Sequence, residues 1–287
     1  MSEEKKVVLK HKSVLDGNVT ETVHKTVKDN FGGKIPYSVW NLTKSKQLMT
    51  LVGDNKTGRT TDKGETLSEL NPDTVIRCLK IWSEKGDKVF DPFLNRGSTS
   101  ILSAYMERIG YANDIVPRYI KEVELQKAKL LEEGYKWAEN IHLNCGDARD
   151  IVNIIRNIFG IDRVDYIITS PPFWDVEKYI SVDGQMSDMG DYDKFMEDYA
   201  KIIELYYEIL KPDKFVTYIV NDFRRNKQYY WFSGDTINCF LKAGFVIHDI
   251  VISVVRTPHI SGIGDAIYKR KTTLKYHEYV LTFRKVS

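Results

Sequence analysis

The chain has 287 residues, a formal net charge of +2 and three cysteines, Cys78, Cys145 and Cys239, with no CxxC spacing. One large core fits that length, the near-neutral charge confines any nucleic-acid surface to local patches, and neither a zinc site nor a disulfide framework is indicated, so a reducing cytoplasm is expected. The charged start Ser2–Lys6 has no apolar h-region, and no segment approaches the roughly 18 apolar residues of a membrane span, so neither export nor membrane insertion is expected.

Residues 1–65 lack periodicity and read as an N-terminal extension, with Gly53–Glu65 a loop and Ile35–Trp40 an ordered segment packing on the core. Residues 66–287 read as one catalytic domain. Asn71-Pro72-Asp73 opens a helix with Val75, Cys78, Leu79 and Trp82 on one face. Lys88–Asp91 is a strand, Ser98–Arg108 a helix and Gly110–Ile115 a second strand. A helix over Arg118–Glu133 leads to a strand at His142–Cys145. Ile151, Ile154, Ile155 and Ile158 then mark a helix, and Val164–Thr169 is strand four. Phe195, Tyr199, Ile202, Ile203 and Tyr206 define a long helix that ends at a Lys211-Pro212-Asp213 turn, before the apolar strand Phe215–Val220. Thr236–Lys242 is a last helix, and Phe245–Val255 and Tyr279–Phe283 are closing strands.

Strands that alternate with helices imply a doubly wound α/β fold: a mostly parallel, seven-stranded Rossmann-like sheet, with the closing strands an antiparallel C-terminal hairpin. Ligands bind such sheets outside the carboxyl ends of the strands, so the loops after strands one to four carry the chemistry.

The first of these loops, Asp91-Pro92-Phe93-Leu94-Asn95-Arg96-Gly97-Ser98, places an acid at a strand end and a small-residue turn at a helix start, where backbone can approach a cofactor. Asp114, at the end of strand two, is placed to accept ribose hydroxyls, and Asp147, after strand three, to accept from an adenine amine. After strand four, Ser170-Pro171-Pro172-Phe173 holds hydroxyl and carbonyl oxygens in fixed directions beside an aromatic face.

Together these residues resemble the amino-methyltransferases of DNA, a branch of the class I methyltransferases that use S-adenosylmethionine (SAM). The family's cofactor motif D-P-F-x-G-[ST]-G-[ST] is matched by Asp91–Ser98 and its catalytic motif [DNS]-P-P-[YFW] by Ser170–Phe173, within a similarity running from about Leu67 to Phe283. The resemblance implies that Asp91, Pro92, Phe93, Asn95, Gly97 and Ser98 hold the methionine part of SAM, Asp114 its ribose and Asp147 its adenine. It places the acceptor base on Phe173, with the Ser170 hydroxyl and Pro171 carbonyl accepting the hydrogens of its amine. Asn95-Arg96 departs from the family's glycine and small hydroxyl residue.

Serine before the two prolines is typical of the family's cytosine-N4 enzymes and aspartate of its adenine-N6 enzymes, so cytosine N4 in DNA is favoured. Adenine N6, an RNA base-amino methyltransferase and a non-catalytic nucleic-acid-binding protein remain open alternatives. The family includes restriction-modification enzymes. DNA contacts are expected from Arg256, Lys269, Arg270, Lys271 and Lys275, between two apolar strands. Trp174–Gly190 is expected to form a lid over the base. The six histidines show no metal-ligand spacing, so no metal is expected, and His277 reads as packed or hydrogen-bonded.

Overall fold

The computed structural model describes residues 38–42, 46–52, 70–177, 179–255, 269, 271–273 and 275–287. The chain divides into two compact units, Met1–Trp40 and Asn41–Ser287, and the site lies within the second. The expected loop Gly53–Glu65 falls outside the described residues, as does the first half of the expected ordered segment, 35–37; of its second half, Val39 and Trp40 lie in a strand and Trp40 is buried.

In chain order the elements are β1 (Val39–Leu42), α1 (Lys46–Leu51), α2 (Pro72–Trp82), β2 (Lys88–Asp91), α3 (Ser98–Tyr105), β3 (Ile109–Asp114), α4 (Pro117–Glu132) and β4 (Ile141–Cys145). A short helix, α5 (Ile151–Asn153), runs on into π-helical Ile154–Ile158. There follow β5 (Val164–Thr169), α6 (Tyr192–Ile209), β6 (Leu210–Val220), β7 (Phe223–Arg225), β8 (Gln228–Tyr230), α7 (Phe232–Lys242), β9 (Phe245–Val255) and β10 (His277–Lys285). The main sheet runs β1-β9-β10-β6-β5-β2-β3-β4. Its centre, β6 to β4, is parallel, and β10 pairs antiparallel with both β6 and β9. This is the expected doubly wound sheet with an antiparallel C-terminal hairpin, but with eight strands: four-residue β1 has too few residues to show an alternating pattern.

Local chemistry explains the regular parts. Asn71 caps α2 by accepting the Asp73 amide at 2.9 Å, with Pro72 supplying a preset φ. All six residues of β5 are buried, as befits a central parallel strand covered on both faces. On α6 the apolar stripe Phe195, Tyr199, Ile202, Ile203 and Tyr206 is buried throughout.

Two stretches depart from the expected elements. The helix over Ile151–Ile158 widens to π geometry, which leaves Ile151, Ile154 and Ile155 buried but carries Ile158 out to solvent. Lys211-Pro212-Asp213 is an irregularity within β6 rather than a separating turn. Asp213 takes a left-handed φ of 58°, and the pairing with β5 slips between Val164 and Tyr166. The β7–β8 hairpin was not anticipated, because its three-residue strands carry no period.

Candidate active site

The strand order reverses between β2 and β5, and the loops leaving the carboxyl ends of β2, β3, β4 and β5 converge there. A cleft of about 520 Å³ opens among them, lined by Pro92, Phe93, Asn95, Asp114, Asp147, Ser170 and Pro172 of the expected site residues. A second lobe of about 370 Å³ includes Asp91, Arg96, Ser98 and Thr99 and shares Phe93, Asn95, Ser170 and Tyr179 with the first.

The turn after β2 is built by left-handed backbone. Asn95 takes φ 46° and Gly97 φ 83°, the former being a conformation that asparagine tolerates better than most residues. At Gly97 a Cβ would also lie 2.6 Å from Cγ2 of Val123 on α4, so only glycine fits.

Two buried carboxylates anchor this turn. Asp91 accepts the Thr169 hydroxyl at 2.6 Å and the Phe93 amide at 3.0 Å. Asp114 accepts the Asn95 amide through Oδ2 at 2.8 Å and the Val116 amide through Oδ1 at 2.9 Å. Burial pushes each acid up to about 6, against hydrogen bonds that pull the other way, and Asp91 adds a repulsive contribution at Asp114. Each Asp114 oxygen retains acceptor capacity beyond its backbone bond.

Asp147 lines the cleft, but its carboxylate is taken up by Arg149, whose Nε lies 2.9 Å from Oδ1 and whose terminal nitrogen lies 2.5 Å from Oδ2. That guanidinium also pairs with Asp198 at 2.7 Å and donates to the Gly184 carbonyl at 3.0 Å. Arg149 thereby ties the loop after β4 to the stretch after β5. The expected lid, Trp174–Gly190, forms part of the cleft wall through Tyr179, Gly184, Gln185 and Met186. It is pinned by Arg149 and by the Trp174 indole, which donates to the Met189 carbonyl at 2.8 Å.

Ser170 donates its hydroxyl hydrogen to the Ile219 carbonyl on β6 at 3.1 Å. Pro171 and Pro172 are buried. Phe173 is half-buried, is not among the residues lining either lobe, and meets Phe232 edge-on with ring centroids 5.7 Å apart. Of the expected nucleic-acid contacts, Arg256 and Arg270 lie outside the described residues, Lys269 and Lys271 are exposed, and Lys275 donates to the Tyr229 hydroxyl at 2.6 Å. His277 packs edge-on against Tyr279 at 4.8 Å. Among the described residues no cluster of His, Cys, Asp and Glu could hold a metal ion, and no helix is long and apolar enough to cross a membrane.

Tyr119 and Arg149 belong to the site without having been expected from the sequence, and Tyr179 and Met186 were expected only as part of the lid segment. Tyr119 is on the first turn of α4, Arg149 and Met186 lie in three-residue 3-10 helices and Tyr179 in a loop, segments too short or irregular for any periodicity to give a side-chain direction.

No protein-family model matches the chain, and no curated protein does so at a significant level. Among solved structures, a candidate RNA methyltransferase from Pyrococcus horikoshii aligns with TM-score 0.50 and 13% identity over 84% of this chain and 98% of its own. TrmN from Thermus thermophilus aligns with TM-score 0.47 and 17% identity over 76% of this chain, which spans about half (49%) of TrmN. A candidate DNA modification methylase, also from Thermus thermophilus and crystallised with S-adenosyl-L-methionine, aligns with TM-score 0.35 and 22% identity over 50% of this chain and 52% of its own. At these identities the likeness is one of fold: the chain has the Rossmann-like methyltransferase fold.

Proposed function

We propose that this chain transfers a methyl group from SAM to the exocyclic amine of a nucleobase, cytosine N4 in DNA. The observation that carries this reading is the Ser170 hydrogen bond. Because Ser170 gives its proton to the Ile219 carbonyl, its oxygen presents lone pairs to the cleft and acts there as an acceptor. A nucleobase amine is a poor nucleophile while its lone pair is delocalised into the ring, and acceptors that hold its hydrogens free that lone pair for in-line attack.

The two lobes fit SAM by their donor and acceptor chemistry. Asp114 would take the ribose hydroxyls with its remaining lone pairs, and Ile115, Ala148 and Met186 give an apolar slot for a purine beside Asp147. With its oxygens engaged by Arg149, Asp147 serves that end as a fixed wall rather than a free acceptor. The lobe at Asp91, Arg96, Ser98 and Thr99 offers both charges to the amino and carboxylate groups of a methionine. When bound, SAM supplies an electrophilic methyl on a sulfonium. The chain's own contribution is then positioning and electrostatics, with no strong general base required.

An amine paired inside a duplex must be flipped out or already unpaired, and the half-buried Phe173 ring, next in sequence to the cleft-lining Pro172, would offer the extruded base a face. In this reading residues 66–287 are the SAM-dependent methyltransferase domain and residues 1–65 an N-terminal extension of it.

Ser170→Ala tests the reading. Losing one acceptor is expected to lower turnover by about 10- to 100-fold, the cost of a charge-assisted hydrogen bond, with the SAM dissociation constant within about twofold. Unchanged turnover would remove Ser170 from the chemistry.

A further inference from the structure

We infer that the β7–β8 hairpin and the Trp231 that follows it form a stacking platform for an unpaired nucleic-acid strand, holding the nucleotides that flank the acceptor base. This inference rests on the function proposed above. The hairpin turns through Asn226 and Lys227, both left-handed at φ 50° and 66°, the two-residue geometry that matches the twist of its strands. Its inner face is fastened beside the Ser170–Phe173 motif. Phe223 stacks on Tyr230 at 5.2 Å, Tyr230 packs against Trp174 at 5.3 Å, and Arg225 pairs with Asp175 at 2.7 Å.

The outer face carries aromatic rings set among cations. Tyr229 lies opposite Arg224 across the two strands, with the guanidinium 5.0 Å from the ring centroid and the Lys275 ammonium 4.7 Å from it. The Tyr229 hydroxyl donates to Asp222 at 2.7 Å, and that buried carboxylate also accepts the Ser233 amide and hydroxyl, so the ring is fixed to the start of α7. Trp231 is 63% exposed, an unusual state for the largest apolar side chain. A Cβ on Gly234 would lie 2.4 Å from its indole carbons, so the ring rests on that glycine's backbone.

Arg224 and Lys227 are exposed on the hairpin and Lys275 lies over the Tyr229 ring, while the acid at its base, Asp222, is buried and hydrogen-bonded. Rings fixed among unburied cations match the chemistry of a single strand, whose bases stack and whose phosphates seek positive charge. An acidic peptide would use the cations but not the indole.

The test is binding of the full chain to fluorescently labelled single-stranded 12-mers of DNA and RNA and to a glutamate-rich peptide. Trp231→Ala is expected to weaken binding of a strand by about tenfold, within the range for losing one base–aromatic stack. Trp231→Phe, which keeps a ring over Gly234, should restore most of that loss. The double change Arg224→Gln with Lys227→Gln should lower the slope of log affinity against log salt by about 1.4, roughly 0.7 for each phosphate contact on a single strand. SAM binding should be unchanged in all three variants. The platform is overturned if Trp231→Ala binds strands as the parent does, or if the peptide competes as well as DNA or RNA. Methyl transfer to nucleosides, measured separately, tells the two ideas apart. Transfer with no Trp231 effect would remove the platform alone, whereas a Trp231 effect without transfer would support the platform and remove the proposed reaction.

Discussion

Thr169, at the end of β5, donates its hydroxyl hydrogen to Asp91, at the end of β2, at 2.6 Å. The bond crosses the point where strand order reverses and joins the last residue before Ser170-Pro171-Pro172 to the first residue of the turn Asp91–Ser98. It ties the loop that would present the acceptor to the loop that would present the cofactor. Thr169→Val keeps the shape but leaves a buried carboxylate one donor short, which should cost about 1–3 kcal/mol of stability. Thr169→Ser should recover most of it. Chemical denaturation of both variants measures the difference.

Stability should also depend on pH through these acids. Burial raises Asp91 and Asp114 from 3.8 to about 6, so between those values the folded state holds protons that the unfolded state has released. Their contribution to stability is therefore greatest below about pH 4 and is lost as pH rises towards 6, opposite in sign to a salt-bridged carboxylate. Asp114→Asn should flatten this part of the pH–stability curve.

Cofactor affinity should move the other way. Ribose hydroxyls donate to the ionised form of Asp114, so SAM binding releases a proton and tightens as pH rises. With Asp114 titrating at about 6, affinity should improve about tenfold from pH 5 to pH 7. Calorimetry across that range should find the dependence largely removed in Asp114→Asn, whereas a flat parent profile would take Asp114 out of the ribose site.

Two alanine variants should separate the two halves of the site. Phe173→Ala should abolish most methyl transfer and leave SAM binding nearly intact, because the ring lies outside both lobes and packs on Phe232. Asp114→Ala should weaken SAM first. Turnover that survives in Phe173→Ala would sink the assigned base pocket.

Gly97→Ala should destabilise the fold. It forces a left-handed φ of 83° on a residue with a Cβ and drives that Cβ to 2.6 Å from Val123, together worth about 1–3 kcal/mol or more. A melting temperature equal to that of the parent would contradict this packing.

Much of this architecture was legible from residues alone. Buried parallel strands read as apolar runs, so β2, β3 and β5 and the acids at the ends of the first two could be placed, and the 3.6-residue stripe of α6 gave its buried face. What stayed hidden follows from short range or from tertiary partners. The β7–β8 hairpin has strands too short for a period and a turn, Asn226-Lys227, without glycine. Arg149 reads as one more charged residue until folding brings Asp147, Asp198 and Gly184 to it. A sequence shows the acid Asp147 but not the Arg149 guanidinium already on it.

The most direct test of the proposed reaction is incubation of the chain with methyl-labelled SAM and mixed DNA and RNA, followed by mass spectrometry of the released nucleosides. Label is expected in N4-methylcytosine from DNA, and its rate of appearance should fall about 10- to 100-fold in Ser170→Ala. Label in no nucleoside of either polymer, from a chain that binds SAM, would contradict base-amine methylation.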